Sequence, residues 1–206
     1  DIICSRDPGP AFSNYIIKLN KSEYLLGAKT EWNKDSSNVE YFKRLKMNSS
    51  NYFNAGVLII NLTRWKKEKV REKLLKTLGN LKFKLELWDQ DLFNNFFDGE
   101  YIELDSVLNW NLDLYKEYFT RKKKPNDDPI LIHFYGKTKP WVGRGLFVKS
   151  SDIYHREYRK ISSNYYHIEH RWVPHSIKFF ITSIFNRNFF NIKYKSRFIY
   201  EFIQTL

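Results

Sequence analysis

The chain has 206 residues, 42% of them hydrophobic, which is enough length and apolar content for one ordinary core and excludes wholesale disorder. A single cysteine, Cys4, excludes an internal disulfide and a cysteine-based zinc site, and it suits a reducing compartment. The net charge of +12 attracts nucleic acid, anionic lipid and phosphorylated substrates alike, so charge by itself selects no partner.

No apolar run reaches the roughly eighteen residues that a spanning helix needs. In chain order, D-I-I-C at Asp1 reads as the end of a β-branched strand that enters a turn at Asp7-Pro8-Gly9-Pro10. A short strand is expected over 24–28, a polar stretch over 33–38 and a short helix over 39–47. The run V-L-I-I at 57–60 has the pattern of a strand buried on both faces of an α/β sheet. A helix is expected over 63–78, with Thr63 as candidate N-cap, Gly79 as its stop, and Val70, Leu74, Leu75 and Leu78 near helical spacing. Its lysines and arginines read as a wet face. Asp89 is placed to cap a helix over 90–97, and 101–104 and 130–134 are further strands. Alternating strands and helices give an α/β layer architecture. The stretch 121–129 reads as a charged, solvent-exposed loop, and there is no internal repeat.

After Trp141 the character changes. Residues 142–206 hold 11 lysines and arginines against 4 acidic residues, together with 15 aromatics and four of the five histidines. Ile177, Phe180, Ile181, Ile184 and Phe185 lie on one helical face, and Phe190, Tyr194, Phe198 and Phe202 recur every fourth residue. Such helices either pack on the domain before them or lie on an anionic membrane surface.

The segment from Ile130 to Trp141 reads I-L-I-H-F-Y-G-K-T-K-P-W. An apolar strand that delivers one imidazole and then a basic, glycine-containing loop places a metal ligand beside phosphate-binding cations. Alone, the segment is more simply a buried strand with solvated lysines, so its company decides. Upstream stand F-N-A-G-V-L-I-I-N from Phe53, D-Q-D-L-F-N from Asp89 and L-N-W-N from Leu108. In that order the four motifs resemble glycosyltransferase family 8, the retaining enzymes that move a hexose from a nucleotide sugar.

The resemblance implies a nucleotide-diphospho-sugar transferase (GT-A-like) α/β domain over 1–141, lacking its first strands, followed by a basic helical extension over 142–206. In the family an Asp-x-Asp pair and the histidine of the last motif hold a divalent metal. D-I-I-C resembles the sequence that begins at the second aspartate, so Asp1 and His133 are the ligands carried over, for Mn²⁺ or Mg²⁺. The first aspartate and the strands for the nucleotide base would then precede Asp1, and the chain as given is expected not to catalyse transfer. Gly136 and Lys139 match phosphate-binding positions, whereas Lys137 is read as solvated. Asn54, Ala55 and Gly56 match a turn against the donor sugar, although outside this context N-A-G is a generic turn.

By the same match Asp89 holds donor-sugar hydroxyls and Gln90 sits near the anomeric carbon. Without the match, Asp89 is a helix cap and Asp91 is solvated. A glutamine amide is a poor nucleophile, so front-face substitution is the preferred route. Glu31, in G-A-K-T-E, occupies the place of an acidic residue at the sugar pocket, and Asn109 and Asn111 line the acceptor side. The implied enzyme is a bacterial lipopolysaccharide core glucosyl- or galactosyltransferase with a UDP-hexose donor and a lipopolysaccharide core acceptor. It would be cytoplasmic and peripheral on the inner face of the cytoplasmic membrane. No nucleic-acid partner is expected, because the aromatics of the motif region sit in apolar runs rather than in an exposed stacking stripe. The rival readings are a non-catalytic basic module that binds anionic membrane or nucleic acid, and an inactive transferase fragment.

Overall fold

The computed structural model describes residues 2–4, 7–120 and 128–206. The expected metal ligand Asp1 and the body of the charged loop, 121–127, lie outside the described residues. In chain order these residues form β1 (Ile2–Cys4), α1 (Gly9–Lys21), β2 (Leu26–Asn33), α2 (Val39–Arg44), β3 (Asn51–Ile60), α3 (Leu62–Lys67), α4 (Val70–Asn80), α5 (Asp89–Phe97) and β4 (Ile102–Glu103). They continue with β5 (Trp110–Leu112), α6 (Leu114–Thr120), β6 (Leu131–Phe134), α7 (Ser151–Ile161), α8 (Val173–Phe185) and α9 (Lys195–Gln204). They divide into two compact units, one built from 4, 7–109 and 129–131, the other from 2–3, 110–120, 128 and 132–206.

In the first unit the sheet order is β3-β2-β4, with β2 antiparallel to β3 and parallel to β4. Leu26, Ala28, Phe53, Val70, Leu74, Phe97 and Tyr101 form one buried cluster, and Phe42, Leu45, Met47 and Tyr52 form another. The turn expected at Asp7–Pro10 is instead the start of α1. Gly9 N donates to Asp7 Oδ1 at 2.9 Å, and Pro10 sits in the first helical turn, where its missing N–H leaves no bond unmade. The helix expected over 63–78 is two helices, broken where Lys69 takes a left-handed φ of 51°. Asn61 rather than Thr63 caps the first, its side chain accepting from Arg64 N at 3.0 Å, and Gly79 lies inside the second rather than ending it.

β3 also begins earlier than its apolar run. Residues 54–56 lie within the strand and not in a preceding turn. Between the pairs Gly27↔Ile59 and Lys29↔Asn54 one residue of β2 stands opposite four of β3, so 55–58 form a wide bulge. A bulge of this kind re-aims side chains and backbone without ending the strand.

The second unit holds the sheet β1-β6-β5, in which β5 and β6 run parallel with Asn111 opposite His133. Its core includes Trp110, Leu112, Phe134, Phe147, Tyr166, Phe198 and Phe202. The two aromatic patterns of the tail split here. Phe198 and Phe202 are buried while Phe190 is 63% exposed, because a 3-10 turn over Asn188–Asn191 separates it from α9. On α8, Phe180 packs on the core, whereas Ile177, Ile181, Ile184 and Phe185 face outward. Among the described residues no helix is long and apolar enough to cross a membrane.

Candidate functional site

Six of the residues singled out in the sequence, Glu31, Asn54, Ala55, Gly56, Gln90 and Asn109, meet in the first unit through a network of side-chain amides. Asn54, on β3 and buried, donates from Nδ2 to Glu31 Oε2 at 2.8 Å. Its Oδ1 accepts from Asn109 Nδ2 at 2.9 Å and from Gly56 N at 2.8 Å. Gln90, on α5, donates from Nε2 to the same Glu31 oxygen at 3.2 Å and accepts from Ala55 N at 3.0 Å. The bulge therefore supplies two backbone amides, those of Ala55 and Gly56, that side chains of the network satisfy. Lys29 Nζ donates to Asn109 O at 3.2 Å and brings a cation to the same group. Beside Glu31 opens a cleft of about 580 Å³, lined also by Trp32, Asn33, Asp35, Asn38 and Tyr41.

The D-Q-D triplet splits into three different roles. Asp89 is the first residue of α5, not its cap; the cap position is Trp88, held at φ 52° and 77% exposed, and no side chain caps the helix. Among the described residues no hydrogen bond or ion pair engages the exposed Asp89 carboxylate. Asp91, two residues on, is fully buried rather than solvated. Its Oδ1 accepts from Tyr41 and Tyr52 hydroxyls, both at 2.6 Å, and its Oδ2 from Glu86 N at 2.7 Å and Leu87 N at 3.0 Å. Burial alone would raise the Asp91 pKa; the four donors outweigh it and hold the carboxyl below its ordinary value, while burial and the same carboxylate push Tyr41 and Tyr52 upward. One turn further, buried Asn94 accepts from Phe53 N at 2.7 Å and donates to Phe53 O at 2.8 Å, closing the strand edge as another strand would. Neither anchor was read from the sequence. The signal was present for Asn94, which lies four residues after Gln90 on the same helical face.

The His133–Trp141 segment belongs to the second unit. His133 is the penultimate residue of β6 and half-buried, with Asn111 as its cross-strand neighbour. Gly136 takes φ +75°, which only glycine adopts without strain, and both it and Lys137 are exposed. Lys139 is half-buried and donates to Phe134 O at 2.7 Å, so its ammonium ties the loop to the strand it leaves. Burial, then the nearby Arg171 charge, lowers its pKa. Gly145 lets the chain pass this loop, since a Cβ there would lie 1.9 Å from Lys139 O.

His155, buried on α7, completes the support. Its Nδ1 faces His167 N at 3.4 Å and must accept, so Nε2 carries the proton and donates to Pro140 O at 2.9 Å. Burial pushes its pKa down to about 4, so it is neutral at neutral pH. Trp141 stacks on His167 at 5.6 Å between centroids. Gly145, His155 and His167 all lie beyond the motif that names the loop, which is why reading the motif did not find them.

As a metal donor, the imidazole of His133 has suitable chemistry. Among the described residues it is not joined by two further His, Cys, Asp or Glu side chains that could complete a metal site, so the expected ligand set depends on Asp1.

Residues 1–144 match the family described as Glycosyl transferase family 8. Lipopolysaccharide 1,2-glucosyltransferase of Escherichia coli is 34% identical over 102 residues, which is 45% of this chain and 30% of that protein. Glycosyltransferase GlyA of Streptococcus pneumoniae is 30% identical over 118 residues, 57% of this chain and 16% of that one. The chain thus matches less than a third of the length of these relatives. In fold it is similar to the galactosyltransferase LgtC solved with donor and acceptor sugar analogs, at a TM-score of 0.58, 21% identity, and coverage of 84% of this chain and 62% of that one. The bifunctional glycosyltransferase WbbM gives a TM-score of 0.55 at 19% identity, covering 87% of this chain and 33% of that one. With four ordered motifs, an α/β architecture of the GT-A-like kind and a family match over residues 1–144, the chain belongs to glycosyl transferase family 8.

Proposed function

We propose that the chain takes part in retaining transfer of a hexose, glucose or galactose, from a UDP-sugar to a lipopolysaccharide core oligosaccharide. The observation that carries this reading is the Glu31–Asn54–Gln90–Asn109 network beside a cleft of about 580 Å³. Fixed amides and one carboxylate orient sugar hydroxyls at little entropic cost, and Trp32 and Tyr41 supply an aromatic wall. Asp89, whose carboxylate is exposed and unengaged, is assigned to donor-sugar hydroxyls, and Gly136 and Lys139 to the diphosphate. Asn111 is assigned with Asn109 to the acceptor side. A divalent cation held by Asp1 and His133, Mn²⁺ or Mg²⁺, would supply charge neutralisation at the departing diphosphate.

Both ends of the Gln90 amide are bonded within the protein, which favours front-face substitution over a covalent intermediate on that residue. In that route the bond from the anomeric carbon to the diphosphate oxygen breaks as the acceptor oxygen bonds on the same face. The acceptor's proton passes to the departing diphosphate. The test is titration of the protein with UDP, UDP-glucose and UDP-galactose, followed by transfer to a lipopolysaccharide core acceptor by the chain as given and by a version extended upstream, the extended version being the one expected to turn over. Asn54→Ala should weaken the UDP-hexose but not UDP, and equal loss for both ligands would remove the network from the sugar site.

For localisation, the proposal is peripheral association with the inner face of the cytoplasmic membrane through α8, whose Ile177, Ile181, Ile184 and Phe185 are 40–84% exposed within a basic segment. Co-sedimentation with phosphatidylglycerol vesicles should be lost in Ile181→Asp with Phe185→Asp. Undiminished sedimentation would rule out α8 as the contact.

A further inference from the structure

The segment after residue 144 lies beyond the family match, and it builds a concave site of its own. A pocket of about 470 Å³ opens among Lys149, Arg156, Lys193, Lys195, Asp152 and Phe190. Four cations thus surround one carboxylate, and that carboxylate is engaged elsewhere: Asp152 Oδ1 accepts from Arg159 Nη2 at 2.7 Å. Arg156 is paired with its neighbour Glu157 at 3.2 Å. Among the described residues no acidic side chain comes within ion-pair distance of Lys149, Lys193 or Lys195. A smaller recess of about 150 Å³ shares Lys149 and Asn191 with this pocket and adds one charge of each sign, Arg187 and Glu117.

Two helices begin at the pocket. α7 starts after its N-cap Ser150 and already holds Asp152 in its first turn, with Ser150 N donating to Glu117 Oε1 at 3.3 Å, whereas α9, whose first residue is Lys195, carries no acidic residue in its first turn. The positive end of a helix dipole disfavours a lysine and favours an anion. Unneutralised lysines gathered at such an end are a local conflict that a bound anion relieves.

The space is larger than a phosphate needs, and within the roughly 300–1,000 Å³ of small-molecule sites. Phe190, 63% exposed, offers an apolar face of the kind on which a sugar ring lies. Asn191 donates to Phe147 O at 3.1 Å, which leaves its side-chain oxygen as an acceptor beside that ring.

We infer that this pocket binds a sugar phosphate, with the phosphomonoester among Lys149, Lys193 and Lys195 and the ring against Phe190. The site is distinct from the amide network and does not depend on the transfer reaction.

The experiment is calorimetric titration of the chain with glucose 6-phosphate, glucose, inorganic phosphate and phosphatidylglycerol vesicles, repeated on two variants. Glucose 6-phosphate should bind more tightly than glucose or phosphate alone. Lys193→Ala with Lys195→Ala should weaken it about tenfold or more, and Phe190→Ala should weaken it while leaving inorganic phosphate unchanged. All three side chains are exposed, so unchanged circular dichroism is expected to accompany the loss. Equal affinity for glucose 6-phosphate and phosphate, indifferent to Phe190→Ala, would reduce the pocket to a general anion patch and overturn the inference. Vesicle binding without glucose 6-phosphate binding, if lost with the two lysines, would assign the cations to a lipid headgroup and overturn it as well. No binding of any probe would do the same.

Discussion

The amide network of the first unit and the glycine loop of the second are both motif regions, yet they are held in opposite ways. In the network, side chains named by the motifs satisfy one another: Asn54, Gln90 and Asn109 are each bonded within the group. In the loop, the motif supplies mostly backbone, which residues outside the motif fix: His155 on Pro140 O and Gly145 beneath Lys139 O. A site built by its own side chains is exposed to changes in those side chains, whereas a site built from backbone is exposed to changes in its supports.

The largest effect should come from beneath the network. Asp91→Ala strands two tyrosine hydroxyls and two backbone amides and removes the partner 3.7 Å from Arg44, so we expect a loss of about 3–5 kcal/mol in urea unfolding. Because the folded Asp91 pKa is depressed, its contribution is present above the ordinary carboxylate range and is lost as pH falls through the folded value. A variant that keeps wild-type stability would show that the buried donors find other partners.

Gly145→Ala should be next. A Cβ placed 1.9 Å from Lys139 O forces the loop backbone to move, at about 1–3 kcal/mol, and should weaken UDP binding more than the hexose preference. Equal stability with unchanged UDP affinity would separate the loop from the diphosphate.

Gln90→Glu brings a second carboxylate to about 3.2 Å from Glu31. At neutral pH this should cost about 1–2 kcal/mol, recovered on acidification as one of the pair takes a proton. A pH-independent loss would point to the lost amide bond instead of charge.

For the loop the corresponding pH effect runs through His155. Its folded pKa falls from 6.5 to about 4, so the unfolded chain binds the extra proton between those values and stability declines as pH drops across that window. His155→Gln should flatten the decline, read by thermal melts at successive pH values. A slope identical to wild type would assign the decline to other groups.

The smallest stability effect is expected at Asp89. Its carboxylate is exposed and unengaged, so Asp89→Ala should change stability by less than about 0.5 kcal/mol, while reducing UDP-hexose affinity relative to UDP. A large loss of stability would mean that the exposed aspartate is structural after all.

Which parts of this could be read in advance follows from how local their causes are. The four motifs, the α/β pattern, the buried run at 57–60 and the helix near 90–97 are written in neighbouring residues, and they led to the family and to most of the network. Three misreadings share one cause. At Asp7–Pro10, at Asn54–Gly56 and at Gly79, glycine, proline or asparagine reads locally as an interruption, whereas a strand partner or helix geometry accommodates each one.

The two aspartates of D-Q-D mark the boundary between what the residues fix and what the fold fixes. By itself the sequence determined that carboxylates and an amide stand at the start of an amphipathic helix, because residue type and helical period are local properties. Only the tertiary structure decided that Asp91 is buried under two tyrosines from α2 and β3, 50 and 39 positions away, while Asp89 stays in water. The same holds for His155 under Pro140 and for the lysines gathered at the start of α9. Burial and long-range hydrogen bonding depend on which distant segments the chain brings together, and no window of sequence contains both partners.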